Sequence, residues 1–345
     1  MQRYVVNCDF TSQRLTGVQR YSFEMLKRLI YDERIEISCF TNNTVLPEFE
    51  EVAEKIKVVR CNRIIFRQLI IPVLSFRQKL ITFSGTPTFL KKNQILTIHD
   101  LAPIVAPDAY SKLYRIYFKI GLMFATNFLT EISVVSDFTR RELFNYASKM
   151  KSIVRIHPNG HEHLIRKLNF GSSVKEENFF LVIGNNHHNK NLKVVIDTYE
   201  KYGDTHDLPK IKVLGRFEEN KVFNSQELSY PSGIEVISNP SDELLLSYII
   251  KSSALIIPSL YEGFGIPLLE AILHHKRVIC SNLEVFNEIA GDYPCYFDPK
   301  STDSLLYAIN KMHLTPIRED LRKKILKKYS WQSTVDGYIN DFINT

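Results

Sequence analysis

Apolar residues come in short runs along this chain, and the runs alternate with longer segments of helical period. "RYVVNCD" opens as a strand, and "GVQRYSFEMLKRLI" follows with apolar positions three and four residues apart. "IEISCF", "IKVVR", "LITFS" and "ILTIHD" are further short strands, and "EISVVS" precedes a helical "DFTRRELFNYASK". "IVRIHPNG" closes this half. The alternation stops in "RKLNFGSSVKEEN", residues 166–178, a polar stretch with glycine and serine that reads as a linker. It resumes with "FFLVIG", a helix from about Lys190, "IKVLGR", "IEVIS", "ALIIP" and "RVICS". Apolar strands alternating with helices predict parallel sheets covered on both faces. Two such runs make two doubly wound α/β domains facing a central cleft, with ligands beyond the C-terminal strand ends.

One junction in the second run asks for a ligand. In "SLYEGFGIPLLEA", residues 259–271, a strand gives way to a loop with Glu262, Gly263, Phe264 and Gly265. A helix follows, with Ile266 and Pro267 in its first turn and Glu270 just beyond. Such a junction presents backbone N–H groups to an anion, and its glycines admit a ligand close to the backbone. Glu270 can accept two hydroxyl hydrogen bonds, as from a ribose, and Glu262 can contact the hydroxyls of a second sugar. Sugar, phosphate and ribose in a row describe a nucleotide sugar. The plainer reading is a glycine turn with a helix-capping glutamate.

Composition narrows the rest. At 345 residues, two domains are expected, and 44 % apolar with 24 % charged residues is ordinary for a globular protein. No apolar run approaches the roughly 20 residues of a membrane span, and "MQRYVVNCDF" has no signal-type hydrophobic region. Five scattered cysteines (Cys8, Cys39, Cys61, Cys280, Cys295) read as buried thiols in a reducing compartment, so a cytoplasmic location is expected. The net charge of +6 is uneven: Lys55 to His99 holds nine lysines and arginines and no acid, and "RKKILKK" adds a second basic cluster. The basic stretch is either a solvated face or a surface for anionic lipid or a phosphate-bearing acceptor. Nucleic acid is not expected, because no binding module is recognisable.

On these residues the chain resembles the retaining glycosyltransferases of family 4, whose Glu-x7-Glu signature matches "EGFGIPLLE". The resemblance also runs through "LTGVQRYSFEML", "TIHDLAP", "ISVVSDFTRREL", "HPNGHE", "LVIGNNHHNKNL", "SNLEVFNEIAGD" with "YFDP", and "YSWQSTVDGYI". It is closest in kind to bacterial mannosyl- and rhamnosyltransferases that build surface polysaccharides such as lipopolysaccharide O-antigen or capsule. The resemblance implies the GT-B fold, two Rossmann-like domains with the acceptor side in 1–167 and the nucleotide sugar in 178–328. A helix over 329–345 is expected to pack back on the first domain.

Carried over residue by residue, Glu270 binds the ribose and Glu262 the donor sugar. "GNNHHNKN" supplies Gly184, Asn185 and Lys190, with Lys190 neutralising the leaving diphosphate. Asn185 and Asn189 stand where many members carry arginine, so His187, His188 or Arg216 are the alternatives for the second phosphate charge. In the first half the resemblance places His99 at the cleft beside the donor sugar. Asp100 follows it, Gly17 opens the loop before the first helix, and Arg20 and Arg140 are acceptor-side candidates. Ser136 reads as a helix N-cap with Asp137 in the first turn.

His157, His161 and His163, and the pair His274–His275, add no convincing carboxylate or cysteine at ligand spacing, so neither metal nor cofactor is expected. The expected reaction moves a sugar from a nucleotide diphosphate to a hydroxyl of a glycan or lipid-diphosphate-linked acceptor, with retention. An epimerase or phosphorylase on the same fold, or a scaffold that binds nucleotide sugar without turnover, are the competing readings. Base, sugar, acceptor and oligomeric state leave no readable signature.

Overall fold

The strands of this computed structural model are short and lie in two parallel sheets. It describes residues 3–163, 176–203, 205–215, 217, 228–314 and 316–343. Most of the expected linker, and Arg216, lie outside the described residues. The chain divides into two units, one made of residues 1–101, 116–159 and 330–345, the other of 102–115 and 160–329.

In the first unit the strands are β1 (Arg3–Asn7), β2 (Glu36–Thr41), β3 (Ile56–Val58), β4 (Lys79–Thr82), β5 (Gln94–Ile98), β6 (Glu131–Val134) and β7 (Ile153–Ile156). Their order is β3-β2-β1-β4-β5-β6-β7. In the second unit they are β8 (Phe179–Ile183), β9 (Lys210–Gly215), β10 (Ile234–Ser238), β11 (Ala254–Ile257), β12 (Arg277–Ser281) and β13 (Cys295–Phe297), ordered β10-β9-β8-β11-β12-β13. Both sheets begin near the middle, wind to one edge, return and wind to the other. The order therefore reverses between β1 and β4 and again between β8 and β11. Central strands such as β5 and β11 are buried along their whole length, because helices cover both faces.

Several helices start where their sequence says. Ser136, Ser241, Ser301 and Ser330 each accept a backbone N–H three residues on, which satisfies one otherwise orphaned donor. The helix expected from about Lys190 begins later. His188–Lys190 is a 3-10 turn, Asn191 takes a left-handed conformation at φ 50°, and the helix is Leu192–Tyr202. The cause is the Asn191 side chain, which donates to the carbonyls of Pro258 and Pro299 at 2.9 and 2.8 Å.

The helix Trp331–Phe342 belongs to the first unit. Trp331 and Tyr338 are fully buried, with their rings 5.8 Å from those of Tyr21 and Phe83. Cys8, Cys39 and Cys280 are buried, Cys61 and Cys295 half-buried, and all five are free thiols.

Not every cation of the basic stretch lies at the surface. Arg67 is 6 % exposed and forms a forked ion pair with Asp9, at 2.8 Å from Nη2 to Oδ1 and 3.1 Å from Nε to Oδ2. Lys91 is buried with Nζ donating to the carbonyls of Ser75 and Phe76, and Lys79 pairs with Glu131 at 2.8 Å. Arg60, Arg63, Arg77 and Lys92 remain exposed. Among the described residues no helix is long and apolar enough to cross a membrane.

Candidate active site

In a doubly wound sheet the loops on either side of the order reversal splay apart and leave a crevice. In the second unit these are the loops after β8 and β11, which carry "GNNHHNKN" and "SLYEGFG". The topology thus brings together two loops more than seventy positions apart. Lys190 Nζ donates to Glu262 Oε1 at 2.6 Å, and Ser259 Oγ donates to the same oxygen at 2.7 Å. The Leu260 N–H donates to the Asn189 carbonyl at 2.9 Å, which ties the two loops by their backbones. Lys190 and Glu262 keep 32 % and 17 % side-chain exposure, so the pair is open to solvent.

Gly184 leaves β8 with room around it: a side chain there would meet Lys190 at ordinary contact distance. Gly215 is the more constrained glycine, since a Cβ would fall 1.6 Å from the Gly184 carbonyl oxygen. Asn185 accepts the His187 N–H at 3.2 Å and so shapes the turn. Burial, with the Lys190 charge second, pushes the His187 pKa down to about 4. His187 is therefore neutral at physiological pH in the ligand-free site. Asn189 Oδ1 is buried with no partner among the described residues.

Gly265 sits at φ +105°, and a side chain there would also strike the Phe286 ring. The helix Ile266–Leu273 starts at once, with Pro267 in its first turn. Among the described residues the amides of Phe264, Gly265 and Ile266 donate to no acceptor, a helix N-terminus able to hold an anion. Phe264 is buried edge-on to Tyr329 at 5.5 Å, which fixes the loop from below. Gly263 is buried beside it.

Glu270 is buried, and its Oε1 accepts from His163 Nε2 at 2.9 Å. Its Oε2 has no partner among the described residues. In the sequence His163 reads only as a metal candidate; the structure puts it beside Glu270. One turn after Glu270, burial pushes the His274 pKa down to about 4.

The first unit holds the other candidates. His99 Nε2 donates to the Phe83 carbonyl at 2.8 Å, and its ring meets Tyr21 edge-on at 5.0 Å. Burial pushes its pKa down to about 4, so the ring is neutral and Nδ1 is its acceptor nitrogen. Asp100 is half-buried next to it. Gly17 begins the helix Gly17–Leu29, and Arg20 lies half-buried one turn on. Arg140 is ion-paired to Asp137 on its own helix, which occupies the guanidinium expected to face an acceptor. His157 bonds Ser133 and His161 bonds the Tyr329 carbonyl; among the described residues no three His, Cys, Asp or Glu groups are placed to hold a metal.

Residues 166–328 match the family described as glycosyl transferases group 1. The protein is a glycosyltransferase. Among its relatives, the O-antigen chain mannosyltransferase RfbU of Salmonella typhimurium is 26 % identical over 244 residues, 69 % of this chain and 66 % of that protein. The O-antigen chain mannosyltransferase B of Escherichia coli is 24 % identical over 95 % of this chain and 96 % of its own. Anabaena HepE, solved in complex with UDP, shares the fold with a TM-score of 0.71 at 12 % identity, over 100 % of both chains. Sucrose-phosphate synthase from Thermosynechococcus elongatus does so at 0.69 and 14 %, also over 100 % of both. The glycosyltransferase thus has the two Rossmann-like units of the GT-B fold, and its group 1 match covers the Lys190, Glu262 and Glu270 loops.

Proposed function

We propose that this glycosyltransferase moves a sugar, mannose first among the choices, from a nucleoside diphosphate to a hydroxyl of a glycan or lipid-diphosphate-linked acceptor, with retention. The observation that carries the reading is the Lys190–Glu262 pair at the β8/β11 crevice, beside three amides that have no acceptor among the described residues. A diphosphate drawn to those amides competes with Glu262 for Lys190. Lys190 then stabilises the leaving diphosphate, and Glu262 is released to hold sugar hydroxyls. Glu270 takes the ribose through Oε2, while His163 holds its other oxygen. His99, neutral with Nδ1 as an acceptor, serves a sugar or acceptor hydroxyl.

The names of the Salmonella and E. coli relatives support mannose and O-antigen, and the HepE complex supports a nucleoside diphosphate. A lipid-linked acceptor places the enzyme peripherally on the cytoplasmic face of an anionic membrane. Because Lys190 supplies positive charge at the diphosphate, transfer is expected to survive a chelator. The competing reading, a scaffold that binds the donor without turnover, draws on the neutral His187 and on Asn185 where a second cation would stand. Transfer of labelled sugar from GDP-mannose, UDP-glucose and dTDP-rhamnose to lipid extracts, beside thermal shifts with GDP, UDP, dTDP and ADP, separates the two. Nucleotide stabilisation with no transfer from any donor to any extract would leave the scaffold.

A further inference from the structure

Large apolar side chains that lie in solvent are concentrated in one part of the first unit. The wound segment 63–74 and the turn after it expose Ile65, Leu69, Val73 and Phe76, the last two at 73 % and 80 %. Phe66 and Ile71 of the same segment are buried against Val5 and Leu80, so the exposed residues form its opposite side. From Ile116 onward the helix Lys112–Phe128 exposes Ile116, Ile120 and Met123, spaced as one helical stripe, while Leu122 and Ala125 face inward.

The two segments form one continuous face. Gln68 donates to the Pro87 carbonyl at 3.1 Å and accepts the Phe89 N–H at 2.9 Å. Phe89 then meets Phe124 edge-on at 5.3 Å, and Thr86 Oγ1 donates to the Tyr117 hydroxyl at 2.6 Å. Leu90 stands exposed on the bridge between them, and Lys92 lies over the Phe128 ring at 5.3 Å.

Charge says what covers this face. There is no Asp or Glu from Lys55 to His99, and none from Ala109 to Thr130. Arg77, Lys92 and Lys119 are exposed among the apolar residues. A second copy of the chain would set these cations against themselves. Exposed apolar side chains rimmed by cations fit a surface that is apolar below and anionic above. We propose that this face docks on an anionic bilayer, with Phe76, Val73, Ile120 and Met123 entering the headgroup boundary and Arg77, Lys92 and Lys119 on lipid phosphates. The inference deepens the lipid-linked-acceptor reading by naming the docking surface. It stands or falls on vesicle binding measured without donor, so its failure leaves sugar transfer untouched.

The test is flotation with phosphatidylcholine vesicles, with and without phosphatidylglycerol, at low and high salt. Binding is expected only with phosphatidylglycerol and weaker in salt. The double substitution Arg77→Gln, Lys119→Gln is expected to weaken it about thirtyfold, taking each cation near a membrane at its usual strength. Phe76→Ser with Ile120→Ser is expected to weaken it at least tenfold. All four positions are exposed, so melting temperature and nucleotide shift are expected to stay as in the wild type. Wild type that stays unbound at low salt overturns the proposal, as does binding to neutral vesicles alone or binding that neither double substitution changes. So does a self-associating wild type that Phe76→Ser renders monomeric without any vesicle binding.

Discussion

The two sheets wind the same way, the first with one strand more, but their crevices are filled in opposite ways. In the first unit Asp9 follows β1, and Arg67 reaches across Gly85, just after β4, to pair with it; the carboxylate is 1 % exposed and the guanidinium 6 %. In the second unit Lys190 and Glu262 occupy the equivalent loops at 32 % and 17 % exposure, beside amides with no acceptor among the described residues. Both are ion pairs at a reversal of strand order. The buried one closes a gap in the core, whereas the open one can trade its partner for a ligand. Burial, more than the identity of the charges, separates a pair locked into the core from one that a ligand can reach.

The largest expected effect breaks the closed pair. Asp9→Ala leaves Arg67 charged and buried without its partner, which is expected to destabilise the fold by about 3–5 kcal/mol in urea unfolding. Glu262→Ala in the open pair is expected to change stability by less than about 1 kcal/mol. Equal losses would erase the distinction. Next comes Lys190→Ala, with turnover expected to fall about 10²- to 10³-fold while the melting temperature holds. A small loss of turnover would mean that the diphosphate sits elsewhere.

Glu270→Ala is expected to weaken nucleotide binding roughly ten- to a hundredfold, from a lost charge-assisted contact of about 1.5–3 kcal/mol. His163→Asn, which leaves Glu270 in place but loosens it, is expected to do less; calorimetric titration with the nucleotide reads both. The smallest effect is shared by the units. His99 and His157 in the first, and His187 and His274 in the second, have pKa values lowered by burial to about 4 from an ordinary 6.5. Between those values the unfolded chain binds more protons. Stability is thus full above about pH 6.5 and falls as the pH drops toward 4. His157→Gln is expected to flatten that slope in pH-dependent melting curves.

The fold was legible because its central strands, such as "ILTI" and "ALII", are unbroken apolar runs bounded by polar turns. The turn of 262–265 into the helix Ile266–Leu273 is legible because the glycines and Pro267 that shape it are local. What escaped depends on residues distant in sequence. The basic stretch reads as surface because the acids that bury Arg67 and Lys79, Asp9 and Glu131, lie outside it on either side. The His163–Glu270 contact joins positions 107 apart, and no periodicity links them. Gly215 reads as any strand-end glycine until the Gly184 carbonyl is seen against it. The late start of the helix at Leu192 is set by the carbonyls of Pro258 and Pro299, which that stretch does not contain.

The helix Trp331–Phe342 has a consequence for how the protein is made. It fills the interior of the first unit with Trp331 and Tyr338, yet it is translated after the whole of the second. At about 5–20 residues per second, the roughly 170 residues between Asn159 and Ser330 delay it by roughly 10–30 s. During that interval the nascent first unit shows the ribosome's surroundings the bare rings of Tyr21 and Phe83. The order of synthesis leaves that interior incomplete until the last helix emerges, and a ribosome stalled before Trp331 should hold a first unit that proteases cut readily.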